Sequence, residues 1–181
     1  MKRKISPIQL LTIFLGVGFF IGIIYENVKV KHQGITIRIF QPFFLQKYLK
    51  TKVIEKEYFW YVVRTRIFSF AVCVFLRWVK WKKIFVALVI GWTGFLCGIL
   101  TVSSILQFGA KGIFLCMMLC FPHFILYALA YEMLLIYLYQ YPESTWNSAK
   151  TVFVLAMMLL GIILETYINP VLLKGAIKIV M

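Results

Sequence analysis

The sequence predicts an all-α protein, a polytopic integral membrane helical bundle of about five transmembrane helices. Of 181 residues, 62% are hydrophobic and 14% charged, where a soluble domain holds about half apolar and about a quarter charged residues. The excess lies in runs long enough to cross a hydrocarbon core about 30 Å thick. The charges lie between those runs: twenty Lys and Arg face six Glu, with no Asp and a net charge of +14. A free basic domain would suit nucleic acid. Charges that punctuate apolar runs suit anionic headgroups, so membrane lipids are the expected partner and nucleic acid is not.

The first span is read over 8–25, after Lys2-Arg3-Lys4. It is long for a signal-peptide core and no Ala-x-Ala site follows, so it is expected to be retained. Gly18 and Gly22 form a GxxxG face, with Gly16 as a third small residue; such faces let helices approach closely in lipid. Residues 26–57 form the one substantial polar segment and are expected to be an external loop. Within it Thr36-Ile37-Arg38-Ile39 alternates like a short strand. After Pro42, Leu45, Leu49 and Val53 recur at helical spacing among Lys47, Lys50, Lys52 and Lys56. That pattern fits an amphipathic helix in the membrane surface or, equally, a solvated helix leaning on the bundle.

The second span, 59–79, needs Arg64 and Arg66 in its first turns, where arginine can snorkel to the headgroups. Trp60, Tyr61, Trp78 and Trp81 resemble aromatic belts at its two ends; a re-entrant segment is the competing reading. The third span, 84–106, carries Gly91 and a second GxxxG at Gly94 and Gly98. After a turn over 107–112 the fourth span, 113–139, is interrupted at Pro122-His123, where the missing N–H predicts a kink. The fifth span, 150–168, is expected to close at Asn169-Pro170, leaving a short basic tail. Flanking charge favours the N-terminus inside, with Arg77, Lys80, Lys82 and Lys83 also inside and the C-terminus outside. Cys73, Cys97, Cys116 and Cys120 lie in apolar stretches without a C-x-x-C pair and read as small buried hydrophobes.

Three ionisable groups stand where lipid penalises them: Glu132, Glu165 and His123. A charge at a helix centre costs about 2.5–3.5 kcal/mol on insertion scales, which makes each a functional candidate. They are read either as a proton or ion path, or as register-fixing partners of Arg64, Arg66, Ser103, Ser104 or backbone carbonyls. Arg64 or Arg66 is the favoured partner for Glu165. No Gly-x-Ser-x-Gly, His-Glu-x-x-His or Walker loop occurs, and a chain without Asp excludes paired-Asp proteolysis. No catalytic residue, metal ligand or cofactor is expected.

The stretch Glu165-Thr166-Tyr167-Ile168-Asn169-Pro170-Val171-Leu172-Leu173-Lys174 resembles a motif of the stage II sporulation protein M family. Gly109-Ala110-Lys111-Gly112 before a helix containing Pro122, and Gly94-Phe95-Leu96-Cys97-Gly98 before that turn, resemble two others. The chain departs from the family where Phe124 and Leu126 stand in place of Gly and Glu, and where Asn169 replaces Ser or Thr. The resemblance implies a five-helix membrane protein without enzymatic activity. It implies a scaffold at the septal membrane that recruits peptidoglycan-degrading partners, an amidase/endopeptidase and a lytic transglycosylase, during forespore engulfment. A homo-oligomer through the glycine faces is a further expected association. The rival readings are a small transporter or ABC-permease-like subunit using Glu132, His123 and Glu165 and, more distantly, an intramembrane enzyme.

Overall fold

The computed structural model describes residues 7–34, 37–51, 55–141 and 143–180. Lys2-Arg3-Lys4, Thr36, Lys52, Val53 and Pro142 lie outside the described residues. Among those described the fold is helical throughout, without a strand. The long elements are α1 (Pro7–Gln33), α3 (Glu55–Phe75), α4 (Lys82–Phe108), α6 (His123–Gln140) and α7 (Ser148–Ile163). Shorter helices α2 (Pro42–Lys50), α5 (Ala110–Cys120) and α8 (Asn169–Val180) complete the chain. Four helical stretches are long and apolar enough to cross a membrane: 8–32, 56–78, 82–108 and 148–180. The pair α5 and α6, bent by 60° at Pro122, makes a fifth when taken as one span.

Several element ends differ from the sequence expectation. The first helix does not stop at Tyr25 but continues through Glu26 and Asn27 to Gln33. Glu26 and Asn27 find partners inside the bundle or on the helix itself: Glu26 accepts from the Ser103 hydroxyl, and Asn27 Nδ2 donates to the Ile23 carbonyl at 2.9 Å. Gly34, at φ 65°, ends it, where a residue without Cβ is favoured. The expected strand is instead a 3-10 turn over Arg38–Phe40. A lone short strand has no neighbour for its backbone groups, and the turn drives Phe40 into the bundle, where it is buried. The described part of the 26–57 region is therefore largely helix, and α2 leans on the bundle as one of its two readings expected. Leu45 is buried against α5 and α8, while Phe43 and Phe44 stay exposed.

The last span does not close at Asn169-Pro170 either. It passes through a π turn over Leu164–Ile168, in which the Asn169 N–H donates to the Leu164 carbonyl, and runs on into α8. Proline inside a helix collides with the carbonyl four residues back; the wider π turn re-aims that region and lets the helix continue. The expected basic tail is thus α8. The 33 residues of 148–180 would reach about 50 Å at 1.5 Å per residue, longer than a hydrocarbon core of about 30 Å.

The helices pack in three layers. At one end Leu11, Cys73, Val86, Leu134 and Leu138 join α1, α3, α4 and α6. In the middle Val62, Tyr127, Ala130, Val154, Met158 and Ile162 join α3, α6 and α7. At the other end Phe40, Leu45, Leu115, Ala176, Ile177 and Val180 join α2, α5 and α8.

The tightest approach is between α1 and α4. A Cβ built on Gly18 would overlap the Gly91 carbonyl; one on Gly22, that of Phe95. From the other side, Cβ atoms on Gly94 and Gly98 would overlap the carbonyls of Leu15 and Phe19. The paired numbers rise together, so α1 and α4 run parallel, and α3 carries the chain back between them. Gly109, at φ 61°, turns α4 into α5 within one residue. Gly112 then lies against the Ser104 carbonyl, where a side chain would not fit.

Candidate functional site

Arg66, Glu165 and His123, three ionisable residues of apolar helices, are brought together around Tyr127 in the middle of the bundle. On α3, Val62, Arg66, Phe70 and Cys73 follow helical spacing and turn toward the bundle. Arg64 is about 200° away from Arg66 around the helix and is exposed. The guanidinium of Arg66 grips Glu165 with two bonds, Nε to Oε2 at 2.8 Å and Nη2 to Oε1 at 2.5 Å. Such a fork-to-carboxylate pair is among the stronger polar contacts available to a protein. Of the two arginines proposed as partner for Glu165, the structure selects Arg66.

Tyr127 of α6 completes the cluster. Its hydroxyl donates to Glu165 Oε2 at 2.7 Å, and the Arg66 guanidinium lies 4.7 Å from its ring centroid. Gly161 of α7 makes room for that ring: a Cβ there would come within 2.6 Å of it. The carboxylate thus accepts three hydrogen bonds, from α3 and α6, at the π turn of the last span. The π turn is what swings Glu165 and Thr166 inward together; both are buried.

Around the pair lie polar atoms that the protein leaves unpartnered. His123 stacks edge-on against Tyr127, ring centroids 5.9 Å apart, and its Nδ1 has no hydrogen-bond partner. Pro122 has no N–H and so frees a backbone carbonyl upstream, and the His123 Nδ1 does not take it up. Thr166 Oγ1 and Asn169 Oδ1 are likewise buried without a partner. Glu132 does not join them. It is nine residues from His123, about 180° around an α-helix, and it is exposed.

The family-motif positions have separate roles. Gly109 and Gly112 shape the α4–α5 corner, Lys111 is exposed beside it, and Pro122 stands at the α5–α6 break. Asn169 is buried and Pro170 continues the helix. Among the described residues no group of three or more His, Cys, Asp or Glu is placed to hold a metal ion.

A second buried carboxylate, Glu26, was not foreseen as a site residue. It has no exposed surface, accepts from the Ser103 hydroxyl at 2.6 Å through Oε1, and faces Lys29 Nζ at 3.5 Å through Oε2. One signal was available: Glu26 continues the Gly18–Gly22 face at the same four-residue step. Tyr127 had a similar signal, one turn after His123. The glycines themselves are spent within the chain, each against a carbonyl of α1 or α4. Gly16 instead faces open space.

Fold and cluster together define an all-α bundle of membrane-length helices in which the Arg66–Glu165 ion pair ties α3 to the last span. No family model, curated protein or solved structure matches the chain.

Proposed function

We propose that this chain is a non-enzymatic membrane scaffold, similar to stage II sporulation protein M, that holds peptidoglycan-degrading partners at the septal membrane during engulfment. The observation that carries the reading is the closed Arg66–Glu165–Tyr127 cluster. Groups poised for transport or catalysis need access to a substrate, whereas this carboxylate is occupied by three donors that tie α3, α6 and the last span together. A rigid bundle of this kind suits a platform. Its presenting surface in this reading is the α2 end, where Lys47, Lys50, Phe43 and Phe44 are exposed. The Lys174 ammonium fastens that surface by donating to the Thr51 carbonyl at 2.9 Å.

Crosslinking and pull-down from sporulating cells tests the proposal. Recovery of an amidase/endopeptidase or a lytic transglycosylase supports it, and loss of that recovery on replacing Lys47, Lys50, Lys52 and Lys56 by Gln assigns the contact to this segment. Recovery of nucleotide-binding transporter subunits without any wall hydrolase overturns it. One observation favours the transporter reading: His123 Nδ1, Thr166 Oγ1 and Asn169 Oδ1 are buried and unpartnered at the bend and the π turn. Under that reading Glu165→Gln abolishes flux in proteoliposomes while the bundle stays folded.

A further inference from the structure

The close α1–α4 packing leaves a trench on its outer side. It has a volume of about 620 Å³, a floor that includes Gly18 and Gly91, and walls that include Trp92 and Phe95. Its other end reaches Lys83 and Tyr139. From Lys83 to Phe95 is twelve residues of α4, about 18 Å at 1.5 Å per residue. One leaflet of a hydrocarbon core about 30 Å thick is about 15 Å deep. The trench is thus as long as a single leaflet, apolar along its length and cationic at one end.

That cationic end is more basic than Lys83 alone. A second, smaller hollow beside it is bounded by Lys80, Trp81, Lys82, Lys83 and Tyr141. Lys82 Nζ lies 3.6 Å from the Tyr141 ring centroid, Lys83 Nζ 5.5 Å from that of Tyr139, and the Arg77 guanidinium 5.8 Å from Tyr141. Among the described residues no carboxylate forms an ion pair with these four cations. Among the described residues the ion pairs are Lys29–Glu26 and Arg66–Glu165, and Glu143, in the loop after α6, is exposed and outside both. Cations gathered on aromatic rings at the mouth of an acyl-length trench lack an anion of their own.

We propose that this trench binds one anionic phospholipid, with an acyl chain along Gly18, Gly91 and Trp92 and its phosphate among Lys80, Lys82 and Lys83. Any apolar helix surface in a bilayer is wetted by lipid. The site differs in holding a particular headgroup charge, and it does so whichever leaflet the lysine end faces. Basic pockets between membrane helices are known to retain acidic lipids, and each lysine near such a headgroup contributes about fivefold in affinity.

Native mass spectrometry of the detergent-purified chain tests this by titrating phosphatidylglycerol and phosphatidylcholine of the same acyl composition. Wild type should prefer phosphatidylglycerol, and Lys80→Gln/Lys82→Gln/Lys83→Gln should lower its affinity by on the order of a hundredfold, three lysines at about fivefold each. Gly91→Leu should fill the trench and weaken both lipids. A Cβ at Gly91 meets only the Phe14 carbonyl oxygen, at 3.9 Å, so the α1–α4 contact itself does not oppose it. A thermal melt of each variant separates lost binding from lost folding, and if Gly91→Leu unfolds, Ala87→Leu on the trench lining replaces it. Equal affinity for the two lipids, unchanged by the triple substitution, overturns the proposal. So does inorganic phosphate binding as tightly as the lipid with no effect of filling the trench, which would make the lysines a phosphate site alone. A dimer lost on Gly91→Leu, with no retained lipid, would give the trench to a second copy and also overturn it.

Discussion

Glu165→Gln removes one charge and almost no volume, leaving Arg66 facing a neutral amide in the middle of the bundle. The Arg66 side chain is 34% exposed and that of Glu165 11%, so neither ion is fully solvated. Removing one partner of a buried pair costs about 3–5 kcal/mol, and the partial exposure of Arg66 places this case near about 3 kcal/mol. For a chain of 150–250 residues, 1 kcal/mol moves the melting temperature by roughly 2–4 °C, so the expected drop is roughly 6–12 °C. Tryptophan fluorescence or size-exclusion recovery after heating, on protein purified in detergent, measures it. The exchanged pair Arg66→Glu/Glu165→Arg should recover at least half the loss, because opposite charges again meet. A Glu165→Gln protein that melts within 2 °C of wild type, roughly 1 kcal/mol or less on the same scale, refutes the structural clamp. If that protein is assembled but inactive, the carboxylate titrates in function and the ion-path reading takes over.

Three further outcomes follow from the same geometry. Tyr127→Phe removes a single donor to the carboxylate and should cost about 1.5 kcal/mol, the lower figure for a hydrogen bond to a charged group, measured in the same thermal assay. Gly22→Ala and Gly94→Ala should each destabilise by about 1–3 kcal/mol through overpacking. Gly16→Ala, which meets nothing, should instead be neutral or stabilising by up to about 1 kcal/mol through helix propensity; equal behaviour of the three in a melt would contradict the α1–α4 interface. On a cysteine-free background, Gln46→Cys and Lys178→Cys should react with an impermeant maleimide from one side of sealed vesicles and Glu143→Cys from the other. Labelling of all three from one side would rule out the alternating course of the helices.

The helix order was legible because lipid demands long apolar runs and charges must lie between them. Arg66 and Glu165 were legible for a related reason: an ion among apolar residues needs a counter-ion, and few were available. The helix ends were harder. Glu26 reads as a boundary because acids commonly flank spans, yet Ser103, 77 positions later, supplies the hydrogen bond that lets it be buried. Pro170 reads as a terminator because the local rule is strong, and only the wide turn before it removes the clash. Tyr127 was hidden by its type, since tyrosines in such chains are expected at interfaces. Glu132 stands apart from His123 because nine residues of helix already set it on the opposite face of α6.

The parallel pairing of α1 with α4 also sets an order of events in biogenesis. Helices insert singly before they associate in the bilayer, and the glycine face of α1 has its partner 73 residues downstream, Gly18 against Gly91 and Gly22 against Phe95. Until α4 has left the ribosome and entered the membrane, Gly18 and Gly22 face lipid or an insertion factor without a mate, and Glu26 has only Lys29 of its own helix. The closest interface of the finished protein is therefore a late acquisition. Chains truncated within α3 should present a helix whose acid lacks the Ser103 hydrogen bond of the completed bundle.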